Sequence, residues 1–146
     1  MRILSEDQVR DKAREILQFH DDDKAFSNTG QLTSFNTLGK YFRSNPWKGE
    51  NHKPDGWYLP KDKSMPCLLL EAKASDKDLV SVAEDEIKRN MKIALKRYPN
   101  VMGITAHSKR QKQSLLSSTL ISGVSLKSVI GLIFVRQSIQ RKMAKF

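Results

Sequence analysis

Two short segments of the chain place acidic and basic side chains at a spacing that suits phosphodiester chemistry. Asp55 directly follows Pro54, and a single residue separates Glu71 from Lys73 at the end of an apolar run. Hydrolysis of a phosphodiester requires a divalent cation, carboxylates that hold the cation, and a group that orients the attacking water. Because Mg²⁺ prefers hard oxygen ligands and keeps several of its waters, one or two carboxylates can hold it. These residue types therefore predict a metal-dependent hydrolytic site.

A β-hairpin is the element that would bring the two segments together. The sequence predicts a first strand over 55–59, a polar turn over 60–64 and a second strand from Cys67 to Ala72. Residues two apart on a strand share a face, so Glu71 and Lys73 would point the same way. Asp55, at the start of the first strand, would lie beside the end of the second. We therefore expect these three side chains to form one cluster.

The Glu-x-Lys triplet is weak evidence by itself, because it occurs twice in the chain. The second copy, Glu86-Ile87-Lys88, lies in a predicted helix, where it is most simply a solvated face. The first copy ends a strand that is apolar on both faces from Cys67 to Leu70, which is typical of a central strand. A structural alternative stays open, in which Glu71 and Lys73 form a surface ion pair at the rim of a sheet and Asp55 occupies an ordinary turn.

Helices and a third strand surround the predicted hairpin. Amphipathic patterns predict helices from Ser5 to about Phe19 and from Ser81 to Tyr98, each opened by a capping box, with Gln8 and Glu84 as the partners. Val101 to Thr105 then predicts a strand, so that strand, helix and strand form a crossover unit of an α/β domain. Residues 27–53 are rich in Ser, Asn, Thr and Gly and specify structure poorly, and a strand could run from Val129 to Val135.

Composition favours one globular domain with a polyanionic partner. The chain has 146 residues, 38% hydrophobic and 29% charged, and a net charge of +10. Residues 1–106 hold 18 Lys and Arg against all 16 acids, whereas residues 107–146 hold 8 Lys and Arg and no acid. This basic extension could bind phosphate, be solvated, or be a truncated or poorly ordered end. The single cysteine, Cys67, excludes an internal disulfide, and no apolar run is long enough for a membrane span, so we expect a cytoplasmic protein without membrane association.

Other chemical signals are weaker. The run Asp21-Asp22-Asp23 follows a helix and is more typical of a solvated turn than of a metal site. His20, His52 and His107 lack the spacing of a zinc site. No Gly-rich phosphate-binding pattern occurs, which argues against nucleotide-driven chemistry.

The hairpin residues resemble the PD-(D/E)XK nucleases, in which Pro-Asp, an apolar strand and Glu-x-Lys follow one another. Here Pro54-Asp55, the strand from Cys67 and Glu71-Ala72-Lys73 match that pattern. The resemblance runs from about Ser5 to Thr105. It implies a restriction-endonuclease-like α-β-β-α-β core within residues 1–106, with a mixed central sheet flanked by helices, and residues 107–146 as an extension. The amino-acid sequence of these segments is similar to the N-terminal nuclease part of bacterial restriction–modification enzymes, either type I R subunits or type IIG-like enzymes.

The resemblance also implies a function and roles for the residues. It implies a Mg²⁺-dependent DNA endonuclease, with Mn²⁺ able to substitute, in which Asp55, Glu71 and the main-chain carbonyl of Ala72 ligate the metal. Lys73 would position the water and stabilise the transition state, and Glu15 would be an accessory carboxylate. DNA is the implied partner, with methyltransferase, specificity or translocase components of a restriction system. Cutting both strands of a duplex would call for two such sites, as in a homodimer. The alternative function is a catalytically silent DNA-binding or interaction module with the nuclease fold, or an incomplete fragment of a larger restriction enzyme.

The second predicted helix carries a basic face that suits contacts with DNA phosphates. A plain solvated exterior is the competing interpretation of the same face. The residues concerned are Lys88, Arg89, Lys92, Lys96 and Arg97.

Overall fold

A computed structural model describes residues 4–74, 82–108, 119–121 and 124–130, with the last two ranges described by their backbone alone. Within these ranges the chain forms an α/β structure. The elements in chain order are α1 (Glu6–Leu17), β1 (Ala25–Thr29), α2 (Phe35–Gly39), β2 (Gly56–Pro60), β3 (Cys67–Lys73), α3 (Glu84–Ala94), β4 (Val101–Ser108), β5 (Thr119–Ile121) and β6 (Val124–Ile130).

The strands form one mixed sheet in the order β1-β2-β3-β4-β6-β5. The β2–β3 pair is the predicted antiparallel hairpin, and β3 runs parallel to β4, as the predicted crossover through a helix requires. β1 and β6 are antiparallel to their neighbours β2 and β4. β3 is therefore a central strand, and its residues from Cys67 to Ala72 are all buried, as the two apolar faces predicted.

Alternation along β3 divides the core into one cluster on each face of the sheet. Leu68, Leu70 and Ala72 pack with Val9, Ala13 and Leu17 of α1. Cys67 and Leu69 pack on the opposite face with the α3 residues Ile87 and Met91 and with aromatic residues of the segment before β2. Because Glu71 and Lys73 continue the odd-numbered series, their side chains leave β3 on the face covered by α3.

The first helix follows its predicted pattern closely. The Ser5 side chain accepts a hydrogen bond from the backbone N–H of Gln8, and the Gln8 side chain accepts one from the backbone N–H of Ser5, which confirms the capping box. The helix ends at Leu17, and Gln18 adopts a left-handed conformation with φ of 57°. Its buried face holds α1 against β3 and β4, and it brings Arg10 to the end of β3.

The second long helix is shorter than its periodicity predicted. It begins at Glu84 with Ala83 as the N-cap residue and no side-chain cap. The predicted capping box depends on Ser81, which lies outside the described residues. The helix ends at Ala94 rather than Tyr98, and beyond it the N–H groups of Lys96 and Arg97 donate to carbonyls three residues earlier, as in a tighter turn. Tyr98 nevertheless remains buried, and its hydroxyl donates to the carbonyl of Pro60 at 2.6 Å.

The segment from 27 to 53, which the sequence specified poorly, contributes both a strand and an aromatic cluster. β1 pairs with β2 from Ala25 opposite Pro60 to Thr29 opposite Gly56. Phe35 and Trp47, both fully buried, pack edge to face with ring centroids 5.2 Å apart. This cluster covers the α3 face of β2.

The strand β4 extends three residues beyond its predicted end and carries β6 on its far side. β6 overlaps only the beginning of the strand predicted from Val129 to Val135, whose remaining residues lie outside the described part of the chain. The division of the chain at residue 106 stays a prediction. Among the described helices, none is both long and apolar enough to cross a membrane.

Candidate active site

The candidate site lies where β3 extends beyond the end of its antiparallel partner, β2. The β2–β3 ladder ends at the pair Gly56 and Leu70, and the N–H of Asp55 donates to the Leu70 carbonyl at 3.0 Å. One step further, the N–H of Ala72 donates to Asp55 Oδ2 at 2.8 Å. A side-chain carboxylate thus replaces the next backbone acceptor of the ladder. This replacement holds the buried Asp55 carboxylate in the plane of the sheet, beside the end of β3.

Glu71 is the most deeply buried acid at this position, with 3% of its surface exposed. Its Oε1 accepts a hydrogen bond at 2.8 Å from the Nδ2 amide of Asn90, which is buried in the middle of α3. Burial, the negative charge of Asp55 and a hydrogen bond with the Asp55 carboxyl raise the pKa of Glu71 to about 10. Asp55 and Glu71 therefore lie close together, in surroundings that oppose two negative charges unless a cation joins them.

Lys73 lies on the same face and meets a second acid of α3. Its Nζ is 3.3 Å from Glu86 Oε2. Burial alone would lower the pKa of Lys73, but the carboxylates of Glu86, Glu6 and Glu71 outweigh it and raise that pKa. Lys73 is therefore an ammonium at neutral pH, which can donate hydrogen bonds to a phosphate or a water but cannot act as a base.

The first helix contributes Arg10, which is 6% exposed. Its Nη2 lies 3.4 Å from Asp55 Oδ1 and 3.4 Å from Glu6 Oε1, while Nη1 donates to Asp7 Oδ1 at 2.6 Å. Burial acts to lower the pKa of Arg10, and the three carboxylates together raise it. Arg10 is therefore a permanent positive charge beside Asp55, and it offsets part of the negative charge of the site.

These groups line a cleft of about 340 Å³ with a balanced set of charges. Its acidic lining residues are Glu6, Asp55, Glu71 and Glu86, and its basic ones are Arg10, Lys53, Lys73 and Arg89. The acids concentrate near the end of β3, whereas Lys53 and Arg89 are exposed side chains. The arrangement can bind a cation inside the cleft and an anion at its mouth.

Asp55 and Glu71 are the residues of the inner cleft that could hold a hard divalent cation. The described part of the chain holds no cluster of three or more His, Cys, Asp or Glu arranged for a metal. The two carboxylates of Asp55 and Glu71 can nevertheless suit Mg²⁺, which takes oxygen ligands and keeps several of its waters. The carbonyl of Ala72 can add a ligand, because it faces the same edge of β3 as the Ala72 N–H that contacts Asp55. A cation there would offset the repulsion between the two carboxylates.

Glu15, the predicted accessory carboxylate, does not reach this cleft. It is exposed and borders a separate surface depression with Asp11 and His20. A helix advances about 100° per residue, so Glu15 lies on the side of α1 opposite Glu6, which does line the cleft. The structure therefore does not bring Glu15 to this cleft as the predicted accessory carboxylate, because the residue lies on the wrong side of the helix.

The predicted basic face of α3 divides into groups with different surroundings. Arg89 lines the cleft, whereas Lys88 and Lys92 are exposed on the side of the helix away from it. Beyond the helix, Lys96 forms an ion pair with Glu50, and the Arg97 guanidinium stacks 3.7 Å from the centre of the Phe42 ring. Of the five predicted phosphate contacts, Arg89 alone is brought beside the candidate site.

The aspartate run lies in an exposed turn, as predicted, and the histidines have different surroundings from one another. Asp21 and Asp22 are exposed and accept backbone hydrogen bonds from residues 24, 25 and 27, as in a turn that leads into β1. His52 lines the cleft from an exposed position, and His107 is buried in β4.

Arg10, Glu86 and Asn90 were missed by the sequence interpretation. Arg10 and Asn90 occupy helix positions that fall within the apolar stripes of α1 and α3, and a polar residue inside such a stripe is the signal that could have found them. Glu86 was assigned to a solvated helix face, although its helical phase places it one turn before Asn90.

Comparison with protein-family models, with curated proteins and with solved structures finds no match to this chain.

Proposed function

We propose that the chain is a Mg²⁺-dependent DNA endonuclease domain of the PD-(D/E)XK type and serves as the cleavage domain of a restriction system. The observation that carries the proposal is the pairing of two buried carboxylates, Asp55 and Glu71, with the Lys73 ammonium on the same strand. Charges at the end of a central strand cost desolvation, so a purely structural role would not favour them. The order α1, β2, β3, α3, β4 supports the α-β-β-α-β core of that family.

Each group has a distinct task in phosphodiester hydrolysis. Asp55, Glu71 and the carbonyl of Ala72 would hold the cation, which would supply charge neutralisation at the scissile phosphate and a polarised water. Lys73, kept protonated by its acidic neighbours, would orient the water and donate to the phosphate oxygens. Arg89 and Lys53, at the mouth of the cleft, would contact neighbouring phosphates of the DNA backbone.

Plasmid cleavage tests the proposal directly. The wild-type protein should nick supercoiled plasmid in the presence of Mg²⁺ or Mn²⁺. The variants Asp55→Ala and Lys73→Ala should nick it at least about 100-fold more slowly. Asp23→Ala and Lys63→Ala make the same chemical changes at exposed positions outside the cleft and should match the wild type. Equal nicking by all five proteins would refute the proposed site. Binding of DNA without cleavage would favour the silent module instead.

A further inference from the structure

α3 contributes a buried polar residue whose presence the helix itself does not explain. Asn90 lies on the face that packs against the sheet, beside Ile87 and Met91, and is 4% exposed. Asn is a poor helix former, and burying its amide costs free energy unless hydrogen bonds replace those with water. An apolar residue would serve both the helix and the core better. The residue is therefore best explained by its partner across the cleft.

That partner is Glu71, whose Oε1 accepts from Asn90 Nδ2 at 2.8 Å. The bond anchors the Oε1 end of the carboxyl group to α3. It also fixes the rotation of a side chain that has three rotatable bonds. A side chain held in this way needs no reorientation when it gives up its proton to bind a cation.

The spacing of the two elements explains why α3 can reach both functional residues of β3. Glu71 and Lys73, two residues apart on a strand, are separated by about 6.6 Å. Glu86 and Asn90, four residues apart on a helix, are separated by about 6 Å along its axis. The near match lets Asn90 meet Glu71 while Glu86 meets Lys73.

We infer that Asn90 is a positioning residue, which holds the Glu71 carboxylate in the orientation that binds the divalent cation. The inference rests on the proposed function of the site, because it assigns Glu71 to the cation. Outer residues that orient metal ligands typically change metal affinity by about 10- to 100-fold when they are replaced. Asn90→Leu removes the donor and keeps a similar side-chain size, so its Mn²⁺ dissociation constant should rise about 10-fold.

Two measurements on the full chain test the inference. Isothermal titration with MnCl₂ compares wild type, Asn90→Leu and the matched surface variant Asn51→Leu, which should bind Mn²⁺ as the wild type does. Urea unfolding in EDTA compares Asn90→Leu, Glu71→Leu and the double variant. Each single variant leaves a buried polar group without its partner, so the double variant should lose less stability than the sum of the two single losses.

Separate outcomes refute the positioning role and the proposed function. Additive stability losses would overturn the positioning role, and so would an unchanged Mn²⁺ affinity of Asn90→Leu beside a wild type that binds Mn²⁺. If the wild type binds no Mn²⁺ but the variants show non-additive stability losses, the proposed function is refuted. The hydrogen bond between Asn90 and Glu71 would still be supported.

Discussion

Replacing Glu71 with glutamine should make the metal-free protein more stable while it abolishes the proposed activity. The pKa of Glu71 is raised to about 10, chiefly by burial and then by Asp55. Between its ordinary pKa of 4.5 and this value, the folded state holds a proton that the unfolded state has released. Stability therefore falls as the pH rises through this window, by about 1.4 kcal/mol per pH unit. By pH 7 the accumulated cost is about 3 kcal/mol, and the neutral amide of the Glu71→Gln variant would not incur it.

Urea unfolding in EDTA at a series of pH values measures this cost. The stability difference between Glu71→Gln and wild type should be smallest at pH 4.5 and should grow steadily to pH 8. The amide oxygen of the variant can still accept from Asn90, so the comparison isolates the charge. Glu15→Gln, which removes an exposed acid outside the cleft, is the matched control. A difference that does not change with pH would contradict the raised pKa of Glu71, and so would a Glu71→Gln variant less stable than wild type at pH 8.

Three further predictions concern the surroundings of the site. Arg10→Met should destabilise the metal-free protein by about 3 kcal/mol, because it removes the buried cation beside Asp55; Mg²⁺ should restore more stability to this variant than to wild type, and equal thermal shifts would contradict that. Gly103→Ala should cost about 1 to 3 kcal/mol in urea unfolding, because the new Cβ would lie 2.5 Å from Ile87 Cγ1; a neutral effect would mean that α3 packs less closely on β4. Burial raises the pKa of the Cys67 thiol, so a disulfide reagent should label it only after unfolding, and rapid labelling of the native protein would be inconsistent with the core described.

The hairpin and the clustering of Asp55, Glu71 and Lys73 at its end were predictable because strand geometry is local. Alternation placed Glu71 and Lys73 on one face, and the apolar run before them required a central strand. The structure places Asp55 beside them through a contact with the backbone of Ala72. The sequence pattern could indicate that Asp55 is near but not that its carboxylate replaces a ladder acceptor.

The contributions from α1 and α3 were not predictable in the same way. Periodicity locates a buried helix face, but it does not distinguish Arg10 extending to solvent from Arg10 buried against Asp55. The same limit applies to Asn90, whose partner lies 19 residues earlier in the chain. β1 was missed because Ala25–Thr29 contains few apolar residues and lies at an edge of the sheet, where one neighbouring strand suffices.

The location of a bound divalent cation would show directly whether Asp55 and Glu71 are metal ligands. Crystals of the protein grown or soaked with MnCl₂ would reveal the ion by its anomalous scattering. We expect a peak between the carboxylates of Asp55 and Glu71, about 2.1 Å from their nearest oxygens, and no such peak in the Glu71→Gln variant. A saturating Mn²⁺ concentration that leaves this position empty, or that fills a different site, would contradict the assignment of Asp55 and Glu71 as the metal ligands.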